Sequence, residues 1–168
     1  ELYREGKLVS DNYKNILRSQ TNAAAIPAEV TVRYGVTVRR ANLRNLPTGE
    51  GLFFYAGDRN FDALQETALD PGEAVAILHT STNGYFYYVQ AYNYRGWLSK
   101  FDVAETDRSI WLRYAEPKNF LTVVAKDYTL KADGAQVLFQ QGARLQLADK
   151  KASAYTVKVP VRTKEGKL

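Results

Sequence analysis

Residues 84–100, GYFYYVQAYNYRGWLSK, hold five tyrosines, one phenylalanine and one tryptophan. In an extended chain successive side chains point to opposite faces. Tyr85, Tyr87, Val89 and Ala91 then share one face, and Phe86, Tyr88, Gln90 and Tyr92 share the other. Asn93-Tyr94-Arg95 reads as a hairpin tip and Gly96-Trp97-Leu98 as the start of the return strand. A hairpin with large rings on both faces needs cover on both. One face fills a core, and the other meets a second surface.

The flanking sequence is also β-like. Val30, Val32 and Tyr34 alternate with Thr31 and Arg33, Gly35 interrupts, and Val36 and Val38 resume. Asp70-Pro71-Gly72 suits a type II turn, with proline and glycine at its two central positions. Val75, Ile77 and His79 then alternate with Ala74, Ala76 and Leu78, which puts His79 on the core side. Thr82-Asn83-Gly84 marks another turn. Ahead of the β region, residues 7–20 read as a helix. Its stripe is Val9, Tyr13, Ile16, Leu17 and Gln20, with Ser10 or Asp11 as N-cap. Residues 21–29 read as a linker, where Pro27 disfavours helix in the residue before it.

The second half repeats the first more faintly. Tyr85 follows Gly72 by thirteen positions, as Tyr155 follows Gly142; Gly96 follows Gly72 by twenty-four, as Gly166 follows Gly142. GWL at 96–98 is matched by GKL at 166–168. A gapless register over two hairpins indicates two copies of one small β module. Asp133-Gly134 supplies a hairpin turn in the second copy. Residues 103–120 read as a connector pinned by Trp111, Leu112 and Tyr114. The expected fold is mostly β: two small SH3-like β-barrels in tandem with a short N-terminal helical segment. The expected division is a helical segment and linker over 1–29, a first barrel over 30–104, and a second, truncated, over 105–168.

Composition removes several chemistries. The chain has no cysteine, so it offers no disulfide, thiolate metal site or cysteine nucleophile. Its one histidine, His79, would have to serve any histidine metal site or catalytic triad, and is read as structural. No catalytic residue, metal site or cofactor is expected. The net charge of +5 is a mild excess that selects no polyanion. Arg39, Arg40 and Arg44, and the later group Lys150, Lys151, Lys158, Arg162, Lys164 and Lys167, are read as solvated faces. No run of eighteen apolar residues is present to span a membrane as a helix. The chain begins at Glu1 and lacks methionine, and so reads as a processed or excised piece.

Three segments carry a family resemblance. RRANLRNLPT, FDALQETALDPGEAVAILHTSTNGYFYYVQ and RGWLSKFDVA together resemble the first bacterial SH3-like domain (SH3b) of NlpC-type cell-wall cysteine peptidases. WLRYAEPKNFLTVVAKDYTLKADG with YTVKVPVRTKEGKL is similar to the second SH3b of that group. The resemblance implies the order of a helical segment, two SH3b modules and then a catalytic domain. The family's Asp-Cys-Ser/Gly motif has no counterpart here, since no cysteine exists to receive the role. The implied role is the non-catalytic part of an enzyme that hydrolyses murein peptides. The implied partners are peptidoglycan stem peptides and a catalytic peptidase domain in the same natural chain. The implied place is the periplasm or cell envelope, with no nucleic acid bound and no membrane span.

Candidate ligand or interface residues follow. Residues 49–66 form a long loop within a small module, which points to function. Its Phe53, Phe54 and Tyr55 form an apolar run suited to a contact face, and its Asp62 could hold a free amine. On the hairpin, Tyr87, Tyr92, Tyr94 and Trp97 are candidates for interface or ligand contact. The alternative reading is a nucleic-acid-binding or peptide-binding small β-barrel.

Overall fold

A computed structural model of the chain describes residues 1–132 and 135–168. Strands dominate. They are β1 (Tyr3–Arg4), β2 (Lys7–Leu8), β3 (Arg33–Thr37), β4 (Ala41–Arg44), β5 (Gln65–Leu69), β6 (Ala74–Thr80) and β7 (Phe86–Gln90). The others are β8 (Arg95–Ser99), β9 (Val103–Thr106), β10 (Phe120–Thr122), β11 (Asp127–Ala132), β12 (Ala135–Gln140), β13 (Arg144–Lys150) and β14 (Tyr155–Lys158). Among the described residues two α-helices, α1 (Asp11–Gln20) and α2 (Arg108–Ala115), and two short 3₁₀ turns join them.

Helix α1 starts where its sequence favours it. The Ser10 hydroxyl accepts the Tyr13 N–H, Asp11 sits in the first turn and Arg18 in the last. It is shorter than the expected 7–20, because Tyr3–Arg4 and Lys7–Leu8 pair as a small hairpin. Glu5 and Gly6 take positive φ at its turn. Val9 still packs where the helical stripe would have put it, in a buried cluster with Leu17, Leu52 and Leu64.

The central sheet runs β5-β4-β8-β7-β6-β3-β9, with every pairing antiparallel. One face carries the main core: Leu43, Leu69, Val75, Ile77, Val89, Leu98 and Val103, with Tyr87 packed against it. This is the face assigned to Tyr87, Val89 and Ala91 by alternation. Three expectations shift. Val30 and Val32 precede β3 and stay exposed. Gly35 does not interrupt the strand but lies inside it, paired to both Val75 and Glu105. A Cβ there would sit 2.6 Å from Val103 Cγ1, so the neighbours require glycine. His79 leaves the core side, because the β6–β7 register shifts between Ile77 and His79. Its Nε2 meets the Asn22 carbonyl at 3.0 Å instead.

The internal repeat is visible in the backbone. β3-β6-β7 and β10-β13-β14 have the same antiparallel order. Gly72 and Gly142 precede β6 and β13 with φ of +89° and +91°. The register shift at Ile77/His79 recurs at Leu147/Asp149. The second group has its own cluster of Val123, Val137, Phe139, Ala143 and Leu145. The hairpin turn read at Asp133-Gly134 lies outside the described residues, although β11 and β12 pair antiparallel on either side. Equivalence ends at Gly166. Gly96 is inside β8, whereas Gly166 takes φ +85° in a turn whose exit pairs with β9. Glu105 N–H donates to the Gly166 carbonyl at 2.8 Å, and Leu168 N–H donates to the Glu105 carbonyl at 3.0 Å.

The connector region is more ordered than a linker: it contains β9 and α2. Trp111 pins it as expected. Its indole N–H donates to the Val75 carbonyl at 3.0 Å, and its ring lies 5.2 Å from that of Tyr34.

Gly96 tests the packing of β8 on β4. A Cβ at this position would lie 2.7 Å from the Arg44 carbonyl oxygen, a backbone atom with little room to move. Gly96→Ala is expected to lower unfolding free energy by about 1–3 kcal/mol in urea titrations. Gly49→Ala, whose Cβ would meet nothing within 4 Å, should leave the midpoint nearly unchanged.

Candidate functional site

The outer face of the central sheet holds a row of large polar and aromatic groups. Cross-strand pairing aligns Arg44 with Trp97, Trp97 with Tyr88, and Tyr88 with His79. The Tyr88 and Trp97 rings are 5.1 Å apart, and those of His79 and Trp97 are 6.2 Å apart. Trp97 is only 4% exposed, so this face is filled within the chain. The end of α1 reaches its His79 end: Thr82 N–H donates to the Gln20 carbonyl, and the Thr82 hydroxyl donates to the Ser19 carbonyl.

Arg44 does not belong to a solvated face with Arg39 and Arg40. It is 5% exposed, and its guanidinium pairs with Asp62 at 2.6 Å and donates to the Glu50 carbonyl at 2.6 Å. Asp62 Oδ1 also accepts the N–H groups of Leu52 and Leu64 at 3.1 and 3.0 Å. Its carboxylate therefore fastens both ends of the 52–64 loop to β4. Along the same loop Phe53 pairs through its backbone with Tyr3. Phe54, Tyr55 and Phe61 are 60%, 74% and 77% exposed.

The remaining candidates lie apart. Tyr87 is half-buried, and its hydroxyl donates to Glu105 at 2.9 Å while the Arg33 guanidinium sits 4.8 Å above its ring. Burial and the Glu105 carboxylate raise the Tyr87 phenol above its ordinary value. Burial pushes Glu105 up, but the Tyr87 hydroxyl, Arg33 and Lys167 outweigh it and hold the carboxyl below the usual range. Tyr92 and Tyr94 stand exposed at the hairpin tip. The structure thus brings Asp62 together with Phe53, Phe54 and Tyr55 in one loop, and ties that loop through Arg44 to Trp97. Tyr87 faces the core, and Tyr92 joins a different site.

That site is a cleft of about 500 Å³ between the central sheet, α2 and β13. Gly72 from the turn before β6 and Ala74 and Ala76 from β6 meet Trp111 and Tyr114 from α2 and Arg144 from β13, with Tyr92 also in the lining. At Gly72 a Cβ would lie 3.7 Å from the Arg144 carbonyl and 3.8 Å from the Tyr114 ring. Glu73 lines the cleft too. Burial, then the nearby Asp70, raise its carboxyl above the ordinary value, with Arg144 pulling the other way. Sequence reasoning did not single out Glu73 or Arg144 as a site. The available signal was positional: Gly72 and Gly142 occupy matching places in the repeat, and both line the cleft.

Residues 52–99 match the family model described as SH3 domain (SH3b1 type). No curated protein matches the chain in sequence. Among solved structures, the fold is similar to that of an NlpC/P60 endopeptidase from Photobacterium damselae subsp. piscicida, with a TM-score of 0.74 and 24% identity. The likeness covers 95% of this chain and 36% of the endopeptidase, so the chain spans about a third of that protein's length. The chain is mostly β and contains an SH3b domain, as the resemblance implied, and shares its fold with part of an NlpC/P60 endopeptidase.

Removing one partner of a buried ion pair leaves the other charge uncompensated. Asp62→Ala is expected to cost about 3–5 kcal/mol of stability in denaturant unfolding. Amide exchange at Leu52 and Leu64 should accelerate in the same variant. Glu73 has the opposite sign. A carboxyl raised on folding destabilises the native state above its folded pKa, and that cost disappears as pH falls below the unfolded value of about 4.3. Glu73→Gln should therefore be more stable than the parent chain at pH 7, and the difference should shrink as pH is lowered toward 4. Urea midpoints measured across that range check the sign.

Proposed function

We propose that the chain is the non-catalytic part of a bacterial cell-wall hydrolase, binding peptidoglycan and shaping the substrate cleft of an NlpC-type peptidase domain in the same natural chain. The observation that carries this reading is the combination of an SH3b1-type match over 52–99 with a fold shared along 95% of the chain with part of an NlpC/P60 endopeptidase. In this reading residues 1–29 form a stabilising segment, 30–104 a first SH3b-like module and 105–168 a second. The protein works outside the cytoplasm, in the periplasm or envelope. Peptidoglycan stem peptides are its ligands.

The exposed Phe54, Tyr55 and Phe61 fit a role at a contact face better than a role in folding. They stand on a loop whose base is fixed by the buried Arg44–Asp62 pair. A rigid base lets a loop present apolar side chains without first ordering its backbone. Phe54, Tyr55 and Phe61 are therefore the surface assigned to the peptidase domain.

A second reading has one observation in its favour. Lys100 lies 5.0 Å above the Tyr85 ring and 5.4 Å above Phe101, and Arg162 lies 5.7 Å above Phe101. Exposed rings beside cations are the surface on which single-stranded bases stack. Co-sedimentation separates the two. The chain should pellet with purified sacculi and show no salt-dependent retention on oligo-dT. Retention on oligo-dT that falls steeply between 50 and 200 mM salt, with no binding to sacculi, would overturn the wall reading.

A further inference from the structure

The cleft between β6, α2 and β13 collects charged side chains without ion-pair partners among the described residues. Among the described residues, Glu73, Arg113 and Arg144 form no ion pair. Arg144 contacts the face of Phe120, with its guanidinium 5.0 Å from the ring centre. The Tyr114 hydroxyl is half-buried and makes no hydrogen bond among the described residues, and burial raises its pKa. Glu73 and Tyr114 are half-buried, whereas Arg113 and Arg144 are exposed. Here Glu73, Tyr114 and Arg144 line the same concave space, beside small residues that keep its floor open. A cleft of this size with a few convergent polar groups has the form of a small-molecule site.

The charges narrow the ligand. A plain anion would leave Glu73 without a partner, and a plain cation would face the charges of Arg113 and Arg144. Glu73 senses Arg144 electrostatically, yet the two do not close into a pair. A ligand that carries both charges satisfies both walls. We infer that this cleft binds a short peptide with free ends, its carboxylate held by Arg144, its ammonium by Glu73, and its body against the Tyr92 and Tyr114 rings. The guanidinium fork suits a carboxylate, and each charge-assisted hydrogen bond is among the stronger polar contacts available. The inference goes beyond wall binding and does not rest on it, since the ligand is a free peptide and the residues lie outside the 52–64 loop.

Tri-alanine with free termini, titrated into the full chain at pH 7, tests this. Trp111 lines the cleft and reports by fluorescence, while amide shifts locate the site. Saturable binding is expected, with shifts at Gly72, Trp111 and Arg144. Amidating the peptide's C-terminus should weaken binding by about tenfold or more, as should acetylating its N-terminus. Arg144→Gln should abolish the preference for a free carboxylate over the amide, and Glu73→Gln the preference for a free amine. Tyr85→Ala should change nothing, and circular dichroism confirms that each variant is folded. The inference fails if tri-alanine does not bind at millimolar concentration, or if capped and free peptides bind equally. It also fails if inorganic phosphate binds as well as the peptide, which would make the cleft a plain anion site. Binding of sacculi with no binding of tri-alanine would overturn this inference alone.

Discussion

The contact between Arg44 and Asp62 organises one whole side of the molecule. Withdrawing a guanidinium from water costs several kcal/mol, and only a close carboxylate with further hydrogen bonds offsets it. Asp62 supplies that carboxylate and at the same time accepts two backbone N–H groups of its own loop. The pair therefore sets where the 52–64 loop runs. That loop carries Leu52 and Leu64 into contact with Val9 and Leu17, so the N-terminal segment has a place to pack. The packed segment in turn puts Asn22 against His79, beside the row that contains Trp97. Apolar burial, the largest stabilising contribution on this side, follows from a polar contact that fixes the geometry.

The repeated hairpin explains why the cleft exists. Each copy opens with a glycine in left-handed backbone, and each strand then shifts register at the same relative place. A left-handed glycine turns the chain tightly and leaves no side chain on the corner. The corners at Gly72 and Gly142 both line the cleft. The Gln140 N–H donates to Asp70 at 3.1 Å across the two hairpin groups, and α2 bridges them, its Trp111 indole on the Val75 carbonyl at 3.0 Å and its Arg113 carbonyl accepting the Gln146 amide at 2.9 Å. The space between the copies stays open because the corner residues are too small to fill it.

Local chemistry was the legible part of the sequence. The Asp70-Pro71-Gly72 turn, the Ser10 cap and the alternation of Tyr87, Val89 and Ala91 each depend on near neighbours in the chain. Where tertiary contact decides, the reading changed. Gly35 looked like a break, but a strand on each side demanded a residue without a side chain. His79 left the core because a register shift inverted its face. Arg44 read as one of three surface arginines, and Asp62 as a loop acid open to ligand. Their pairing joins positions separated by residues 45–61, and no spacing rule encodes it. The aromatic hairpin raised the right question about its second face, and the partner at Trp97 and His79 proved to be the chain itself.

The short pairing of Gly166–Leu168 with Glu105 has a mechanical side. Residues 106–166 leave β9 and come back to it, held by two backbone hydrogen bonds and the Lys167–Glu105 ion pair at 3.3 Å. Tension applied at Leu168 therefore enters the central sheet directly through its edge strand. Residues 107–165 lie outside that load path for as long as the clasp stays closed.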